Sequence, residues 1–480
     1  MRKYQYIFIL FTLVFTTNCH DALDVQPASQ FSDDFLNTSS GMRALLNSAY
    51  DNIQYTDDPG VNRIYIEEAT SGVLVNFRGL LNRDLQFYQD FTFNSTTAYI
   101  QDQLWAKPYR AIRDANLLID NIEINPDLSE NEKSTFLGEA RFIRGLAYHF
   151  LYGWFGPVPL IKQSFNSPND NFEQGRATDD EILSFIEEEL LAAAAVLPAT
   201  QLEYGRATKG AALGVLTKYY LQNRLWDKAA NAAKQVMDLN KYTLWPDYTT
   251  LFALQNEGNS EMVFAFPAIP LDGNGNVWVA NALPPQYPTP IFNTATQVTM
   301  PVAFYNTFEA NDNRKKLILT EYVSNQGQKI NLLTGVEYQN PRSLKYPIDL
   351  SADSRSGGAD FILIRYADIL LARAEALVMA SGNVSTEALA LLNEIRIRAG
   401  LSAYKAADIP TQAAFIDALL KERSWEFYSE GKYREDLLRH DRFIQHALNR
   451  GKAAKSFHIR FPLPQSELNA NPNLKQNTGY

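Results

Sequence analysis

The 480-residue sequence contains one cysteine and five histidines, and it has no long apolar run that could cross a bilayer. It also lacks G-x-S-x-G, H-E-x-x-H, P-loop and G-x-G-x-x-G motifs, which mark common hydrolases, metalloproteases and nucleotide-binding proteins. One cysteine cannot form an internal disulfide, so a hydrophobic core must hold the fold. With 46% hydrophobic residues, the chain has ample material for that core.

Positive charge is scarce as well. The chain carries 44 Lys and Arg against 54 Asp and Glu, a net charge of −10, and it shows no basic cluster. Nucleic-acid binding depends on neutralisation of phosphates by Lys and Arg. We therefore expect no nucleic-acid partner.

The N-terminus has the pattern of a secretory signal peptide. Arg2 and Lys3 precede the apolar run Tyr6–Phe15, and small polar residues follow. The run is about half the roughly 20 residues that a membrane-spanning helix needs. We predict that residues 1–18 are removed on export. Loss of their two positive charges changes the net charge from −10 to −12.

Cys19 lies directly after this segment. Exported proteins are exposed to an oxidising environment, so we expect a single unpaired cysteine there to have a specific role. Lipidation provides one, since two or more acyl chains give stable membrane anchoring and a single chain does not. We predict a lipid-anchored Cys19, although Asn18 replaces the small residue that usually precedes such a cysteine. The alternative is a free thiol in a tail.

Helical periodicity dominates the regular parts of the sequence. Ser129 with Glu132 forms a capping-box pattern at the start of one helix. The predicted single helices are Ser40–Ile53, Tyr99–Ile122, Ser129–Phe155 and Asp179–Leu197.

A second group of helices is predicted to form pairs. Ala207–Met237 gives two helices joined by a turn at Asn223–Leu225, with small residues where the helices approach. The pattern resembles a tetratricopeptide unit, and such units must stack to bury their apolar faces. The related predicted pairs are Ala367–Gly400 and Phe415–Glu430 followed by Tyr433–Leu448.

Three long segments read as irregular loops: Gly72–Asn94, Leu271–Pro301 and Asn340–Asp360. Loops of this length in a compact domain usually carry function. Sugars offer apolar faces to aromatic rings and hydroxyls to Asp, Asn and Arg, so loop aromatics indicate a glycan site. The alternative is that these rings, Trp278 above all, pack their loops onto the core. We predict a shallow, non-catalytic surface site formed by Asp57, Asp58, Asn76, Phe77, Arg78, Trp278, Tyr287 and Arg355.

Seven motifs, in order, resemble the SusD/RagB family of nutrient-binding lipoproteins from Bacteroidetes outer membranes. They begin with the segment CHDALDVQP at Cys19. The others are Gly138–Leu160, Gly205–Leu221, Ile364–Leu377, Ala388–Leu401, Glu422–Arg439 and Pro462–Tyr480.

The resemblance implies a mainly α-helical fold with four degenerate tetratricopeptide-like helix pairs and long irregular loops. An N-terminal region, 19–258, and a C-terminal region, 259–480, would pack as one unit. It implies a surface-exposed, lipid-anchored protein of the outer membrane that binds a glycan or other nutrient, with a SusC-like TonB-dependent barrel transporter as partner. No cofactor, metal or enzymatic activity is expected. The alternatives are an exported helical scaffold without a small ligand and a glycan-degrading enzyme.

Overall fold

The computed structural model describes residues 33–54, 63–77, 79–165, 173–271, 273–291, 297–336, 339–352 and 355–480. Helices dominate these residues and the strands are short, so the predicted mainly helical class is confirmed. The helices of the first half are α1 (Asp33–Leu36), α2 (Ser39–Ile53), α3 (Arg63–Ser71), α4 (Leu80–Asp90), α5 (Lys107–Ile122), α6 (Glu130–Phe155), α7 (Asp179–Val196), α8 (Lys209–Gln222) and α9 (Trp226–Asp238).

The second half alternates short strands with helices. Its helices are α10 (Trp278–Ala282), α11 (Val302–Tyr305), α12 (Tyr366–Ser381), α13 (Thr386–Arg398), α14 (Gln412–Glu426), α15 (Tyr433–Arg439), α16 (Phe443–Asn449) and α17 (Gln465–Ala470). Its strands are β1 (Met262–Phe266), β2 (Ile318–Leu319), β3 (Glu321–Val323), β4 (Lys329–Asn331), β5 (Arg342–Ser343) and β6 (Phe361–Arg365). They pair antiparallel as β1 with β6, β2 with β5 and β3 with β4.

The capping pattern predicted for α6 is present. The Ser129 hydroxyl accepts a hydrogen bond from the Glu132 amide at 3.4 Å, and the Glu132 carboxylate accepts one from the Ser129 amide at 3.0 Å. The predicted helices at 40–53, 129–155 and 179–197 are confirmed to within one or two residues. The helix predicted from Tyr99 begins as a π-helical turn at Ile100–Ala106 before α5.

Two predictions were wrong. Gly72–Asn94 is not wholly irregular, because α4 occupies its second half and buries Leu81, Leu85 and Tyr88 at helical spacing. The helix predicted over 433–448 is broken into α15 and α16. Asp441, between them, has a φ of +56°, a left-handed conformation that ends a right-handed helix.

The predicted helix pairs are present as α8 with α9 and α12 with α13. Their assignment as tetratricopeptide-like units stays a prediction. One hydrophobic core cluster contains side chains from both regions of the chain, from Leu36 to Leu474. The division at residue 258 itself stays a prediction.

A buried ion network lies below the loops of the second half. Arg365 contacts Glu261 at 2.7 Å, Glu426 at 2.6 Å and Glu430 at 2.9 Å, and all four side chains are fully buried or nearly so. No local sequence pattern indicates these pairs, since Arg365 lies 104 and 65 residues from Glu261 and Glu430. We call the following residues the ion network: Glu261, Arg314, Lys345, Arg365, Arg398, Glu422, Glu426 and Glu430.

Within the ion network, the neighbouring cations lower the pKa of Glu426 and of Glu430. Burial alone would raise the pKa of Glu426, but the guanidinium groups of Arg398 and Arg365 lower it to about 2. Breaking a buried pair leaves an uncompensated charge and costs several kcal/mol. This network therefore holds β6 and the region around β5 against α14.

Candidate ligand-binding loops

Loops from distant parts of the chain meet on one surface. Val75 and Thr299 exchange backbone hydrogen bonds of 2.8 and 3.1 Å, which join the segment after α3 to the segment after α10. The Gln297 side-chain oxygen accepts from the Leu81 amide at 2.7 Å, and the Gln297 amide donates to the Asn281 carbonyl at 2.7 Å. We call residues 76–77, 79–81, 281–291, 297–299, 321–325 and 355–357 the loop face.

Asn281 is buried beneath this surface and connects its loops. Its side-chain oxygen accepts a hydrogen bond from Arg355 at 2.6 Å, and its side-chain amide donates to the Tyr65 hydroxyl at 3.3 Å. Paired backbone hydrogen bonds between Asn276 and Gly357, of 2.8 and 3.0 Å, bring the Arg355 loop beside α10. The structure therefore unites the segments predicted around Asn76, Trp278 and Arg355.

Trp278 is a core residue rather than an exposed platform. Its side chain is only 2% exposed, and its ring lies 5.0 Å from that of Tyr65 and 5.5 Å from that of Tyr346. The expectation of a ring exposed for stacking is therefore corrected. The alternative, that Trp278 packs its loop onto the core, describes what the structure shows. Its two ring partners are distant in sequence, so the loop alone could not reveal this.

Tyr287 lies on the surface, half-buried, with its ring 5.6 Å from that of Tyr322. The Tyr322 hydroxyl donates to the Pro285 carbonyl at 2.9 Å, and the Asn325 amide donates to the Gln286 carbonyl at 2.8 Å. These bonds fix the β3–β4 hairpin against the proline-rich loop. Tyr322 was missed in the sequence because it sits in a short strand without a glycine- or proline-rich context.

Asn76 and Phe77 have different environments. Asn76 is buried, and the Gln89 side chain bonds both its backbone amide, at 2.7 Å, and its carbonyl, at 3.2 Å. Phe77, the next residue, is 50% exposed. Asn76 thus anchors the turn on α4, and Phe77 presents a ring at the edge of the loop face.

Three of the predicted site residues, Asp57, Asp58 and Arg78, lie outside the described residues, and their role stays a prediction. The predicted ligand contacts of Asn76, Phe77, Tyr287 and Arg355 also stay predictions. The structure places Asn76, Phe77, Tyr287 and Arg355 around one connected surface.

Another carboxylate pair in the chain, Glu67 and Glu68, lies in the protein interior. Glu67 accepts from the Trp154 indole at 2.5 Å, and Glu68 accepts from the Gly431 amide at 2.8 Å. Burial raises the pKa of each to about 7. Both side chains support contacts between α3 and the rest of the core.

The described residues thus form a helical scaffold with a surface built from loops. This architecture places the chain among proteins that bind their ligands through loops. Comparison with known proteins identifies the family within that class. Residues 274–480 match the family model described as SusD family, and residues 21–221 match one described as starch-binding associating with outer membrane. The chain belongs to the SusD/RagB family, as its motifs predicted.

Individual relatives agree with this assignment. The chain is 26% identical to SusD-like protein P25 of Formosa agariphila, over 78% of this chain and 79% of that protein. It is 24% identical to the starch-binding protein SusD of Bacteroides thetaiotaomicron, over 76% of each chain.

Solved structures share the fold. A SusD superfamily protein from Parabacteroides distasonis has a TM-score of 0.82 and 26% identity, covering 94% of this chain and 100% of its own. Surface glycan-binding protein A from Bacteroides thetaiotaomicron, solved in complex with laminarihexaose, has a TM-score of 0.77 and 18% identity. It covers 92% of this chain and 99% of its own, a likeness of fold alone.

Proposed function

We propose that this protein is a non-catalytic glycan-binding protein of the outer membrane, and that it delivers its ligand to a TonB-dependent barrel transporter. Family membership supports glycan binding, because relatives include a starch-binding protein and a protein solved with laminarihexaose. The family model for residues 21–221 names association with the outer membrane.

The observation that carries the proposal is the make-up of the loop face. It combines the Tyr287–Tyr322 ring pair with the exposed ring of Phe77 and the Arg355–Asn281 hydrogen bond. Aromatic rings with a few fixed polar groups suit the apolar faces and hydroxyls of sugars. A rigid, pre-formed surface also lowers the entropic cost of binding.

Calorimetry with defined oligosaccharides tests this function. The purified protein is titrated with laminarihexaose, maltohexaose and other hexasaccharides, and we expect saturable binding of at least one. The same mixtures, analysed after prolonged incubation, should contain intact oligosaccharide. Products of cleavage would favour the glycan-degrading enzyme. Absence of binding across a broad glycan array would favour the scaffold without a small ligand.

Anchoring through Cys19 forms part of the proposal, although Cys19 lies outside the described residues. Among the described helices, none has both the length and the apolar character needed to cross a bilayer. We expect Cys19→Ala to release the protein from the membrane fraction, and wild type to incorporate labelled fatty acid. Retention of the variant, without fatty-acid incorporation by wild type, would contradict the anchor.

The transporter partner is proposed from the family resemblance. Anchoring two proteins in one membrane raises their effective concentration, so modest contact affinity would give high occupancy. Pull-down of the native protein from outer membranes in mild detergent should recover a large barrel protein. Repeated recovery of the protein alone, from cells that express the neighbouring transporter, would contradict this part of the proposal.

A further inference from the structure

A cavity of about 990 Å³ opens next to the loop face, between the segment that follows α3 and the helices α14 to α16. Small-molecule sites typically have volumes of about 300–1,000 Å³ and mostly apolar walls. Phe77 stands at the boundary between the cavity and the loop face. The wall is mostly apolar and includes Leu74, Val75, Pro301, Phe304, Leu420 and Leu437.

The cavity wall contains more basic than acidic residues. Both acids are paired: Asp417 with Arg442 at 2.5 Å, and Asp441 with Arg224, which lies outside the lining, at 2.6 Å. Cations therefore exceed acids in a protein whose net charge is negative. The cations of the wall are Lys421, Arg442, Arg450 and Lys452, and the acids are Asp417 and Asp441.

Two of these cations form no ion pair within the described part of the chain: the partly buried Arg450 and the solvent-exposed Lys421. Arg450 donates from one terminal nitrogen to the Thr70 carbonyl at 2.7 Å, while its buried Nε has no hydrogen-bond partner among the described residues. The Lys421 ammonium lies 4.7 Å from the centre of the Trp425 ring.

A partly buried cation without a counter-ion carries an uncompensated desolvation cost. Burial lowers the pKa of Arg450 to about 10, because desolvation disfavours the charged guanidinium. His446, also in the wall, adds no charge at neutral pH. It bonds the Ser71 carbonyl at 2.8 Å, and burial lowers its pKa to about 4. An anionic group on a ligand would offset the cost at Arg450.

We propose that this cavity is a second ligand site, adjoining the loop face at Phe77, that binds a small organic carboxylate with an apolar chain or ring. The carboxylate would contact Arg450 and Lys421, and the apolar body would lie along Leu74 and Phe304. Arg and Lys form charge-assisted hydrogen bonds with carboxylates. A neutral sugar would leave the partly buried Arg450 without a counter-ion and would place its hydroxyls against an apolar wall.

Binding of decanoate, used as the probe below its micelle concentration, tests the proposal. Displacement of the anionic apolar dye anilinonaphthalene sulfonate reports occupancy of the cavity by fluorescence. Decanol and decylamine, which match decanoate in chain length, are the neutral and cationic controls. We expect decanoate to bind at least tenfold more tightly than either. Equal binding of decanol, or no binding of decanoate to wild type, would overturn the proposal.

Variants locate the site. Lys421→Gln and Arg450→Gln should each weaken decanoate binding about tenfold, and Ala303→Trp should block it by filling the cavity. The matched control is Lys405→Gln, an exposed lysine outside the cavity wall, which should leave binding unchanged. Arg450 also bonds the backbone, so Lys421→Gln keeps the test decisive if Arg450→Gln fails to fold. Equal loss in the Lys405 variant would contradict the assignment.

Two further measurements separate this site from other sources of the signal. Vesicles of phosphatidylglycerol that bind only through Arg450, with no binding of monomeric decanoate, would identify a lipid headgroup site and overturn the proposal. Oligosaccharide affinity, measured on the same variants, should stay within twofold of wild type. Failure of the carboxylate site is thereby distinguishable from failure of glycan binding at the loop face.

Discussion

The loop face and the ion network lie next to each other, but they differ in the charge and the burial of their side chains. Lys345 belongs to the network, contacting Glu430 at 2.9 Å, while the next residue, Tyr346, packs its ring 5.5 Å from that of Trp278 below the loop face. The network holds many charges, each paired and buried. The loop face holds partly exposed rings and one arginine bonded to an amide. The clustered ionisable groups of the ion network stabilise the fold. The loop face, which carries few charges, is the candidate binding site.

Removal of Arg365 should have the largest effect on stability. Arg365→Leu leaves Glu261, Glu426 and Glu430 short of a cation in the interior, so we expect a loss of about 5 kcal/mol in the free energy of unfolding. Urea denaturation measures it. The matched control is Lys329→Met, at the exposed Lys329–Glu321 pair, which should cost less than about 1 kcal/mol. Similar values for the two variants would remove the distinction between network and surface pairs.

Trp278→Ala should have the next largest effect, and on folding rather than directly on binding. Its buried ring packs between Tyr65 and Tyr346, so we expect a loss of about 3–5 kcal/mol in the free energy of unfolding. Thermal and urea denaturation check this. A variant with wild-type stability but no glycan affinity would return Trp278 to the binding surface.

The burial of Trp278 illustrates which features could be predicted from the sequence and which could not. Helix positions followed from local periodicity and caps, as with Ser129 and Glu132, because those signals lie within a few residues. Burial of Trp278 and pairing of Arg365 depend on partners far along the chain, which no local pattern encodes. The loops around Trp278 and Arg355 followed from local composition, but Tyr322, the ring partner of Tyr287, lies in a short strand without such a local signal.

Acid should weaken the ion network. Glu426 has a folded-state pKa of about 2, below its ordinary value of 4.5, so the folded state favours its ionised form. That contribution is complete above pH 4.5 and is lost as pH falls towards 2, on the order of 3 kcal/mol. Unfolding free energies between pH 6 and 3 should show this decline. Glu426→Gln should be less stable at pH 6 and should flatten the curve. An unchanged slope would contradict the assigned pKa.

The smallest expected effect concerns binding alone. Tyr287→Ala and Tyr322→Ala each remove one ring of the half-buried pair on the loop face. A stacking contact contributes roughly 0.5–1.5 kcal/mol beyond area burial. We expect oligosaccharide affinity to fall about tenfold in each variant. Tyr287→Ala should change stability little, whereas Tyr322→Ala also loses the hydrogen bond to the Pro285 carbonyl. Calorimetry and denaturation on the same samples separate the two quantities. Tyr305→Ala, a half-buried tyrosine outside the loop face, is the control that should bind normally.

Hydrogen–deuterium exchange with and without a saturating oligosaccharide shows whether the loop face is the binding surface. We predict slower exchange on ligand binding in residues 284–291, 321–325 and the segment beside Phe77. We predict no change in β6 or α14, which carry the ion network. Protection confined to the helix pairs, with none on the loop face, would contradict it.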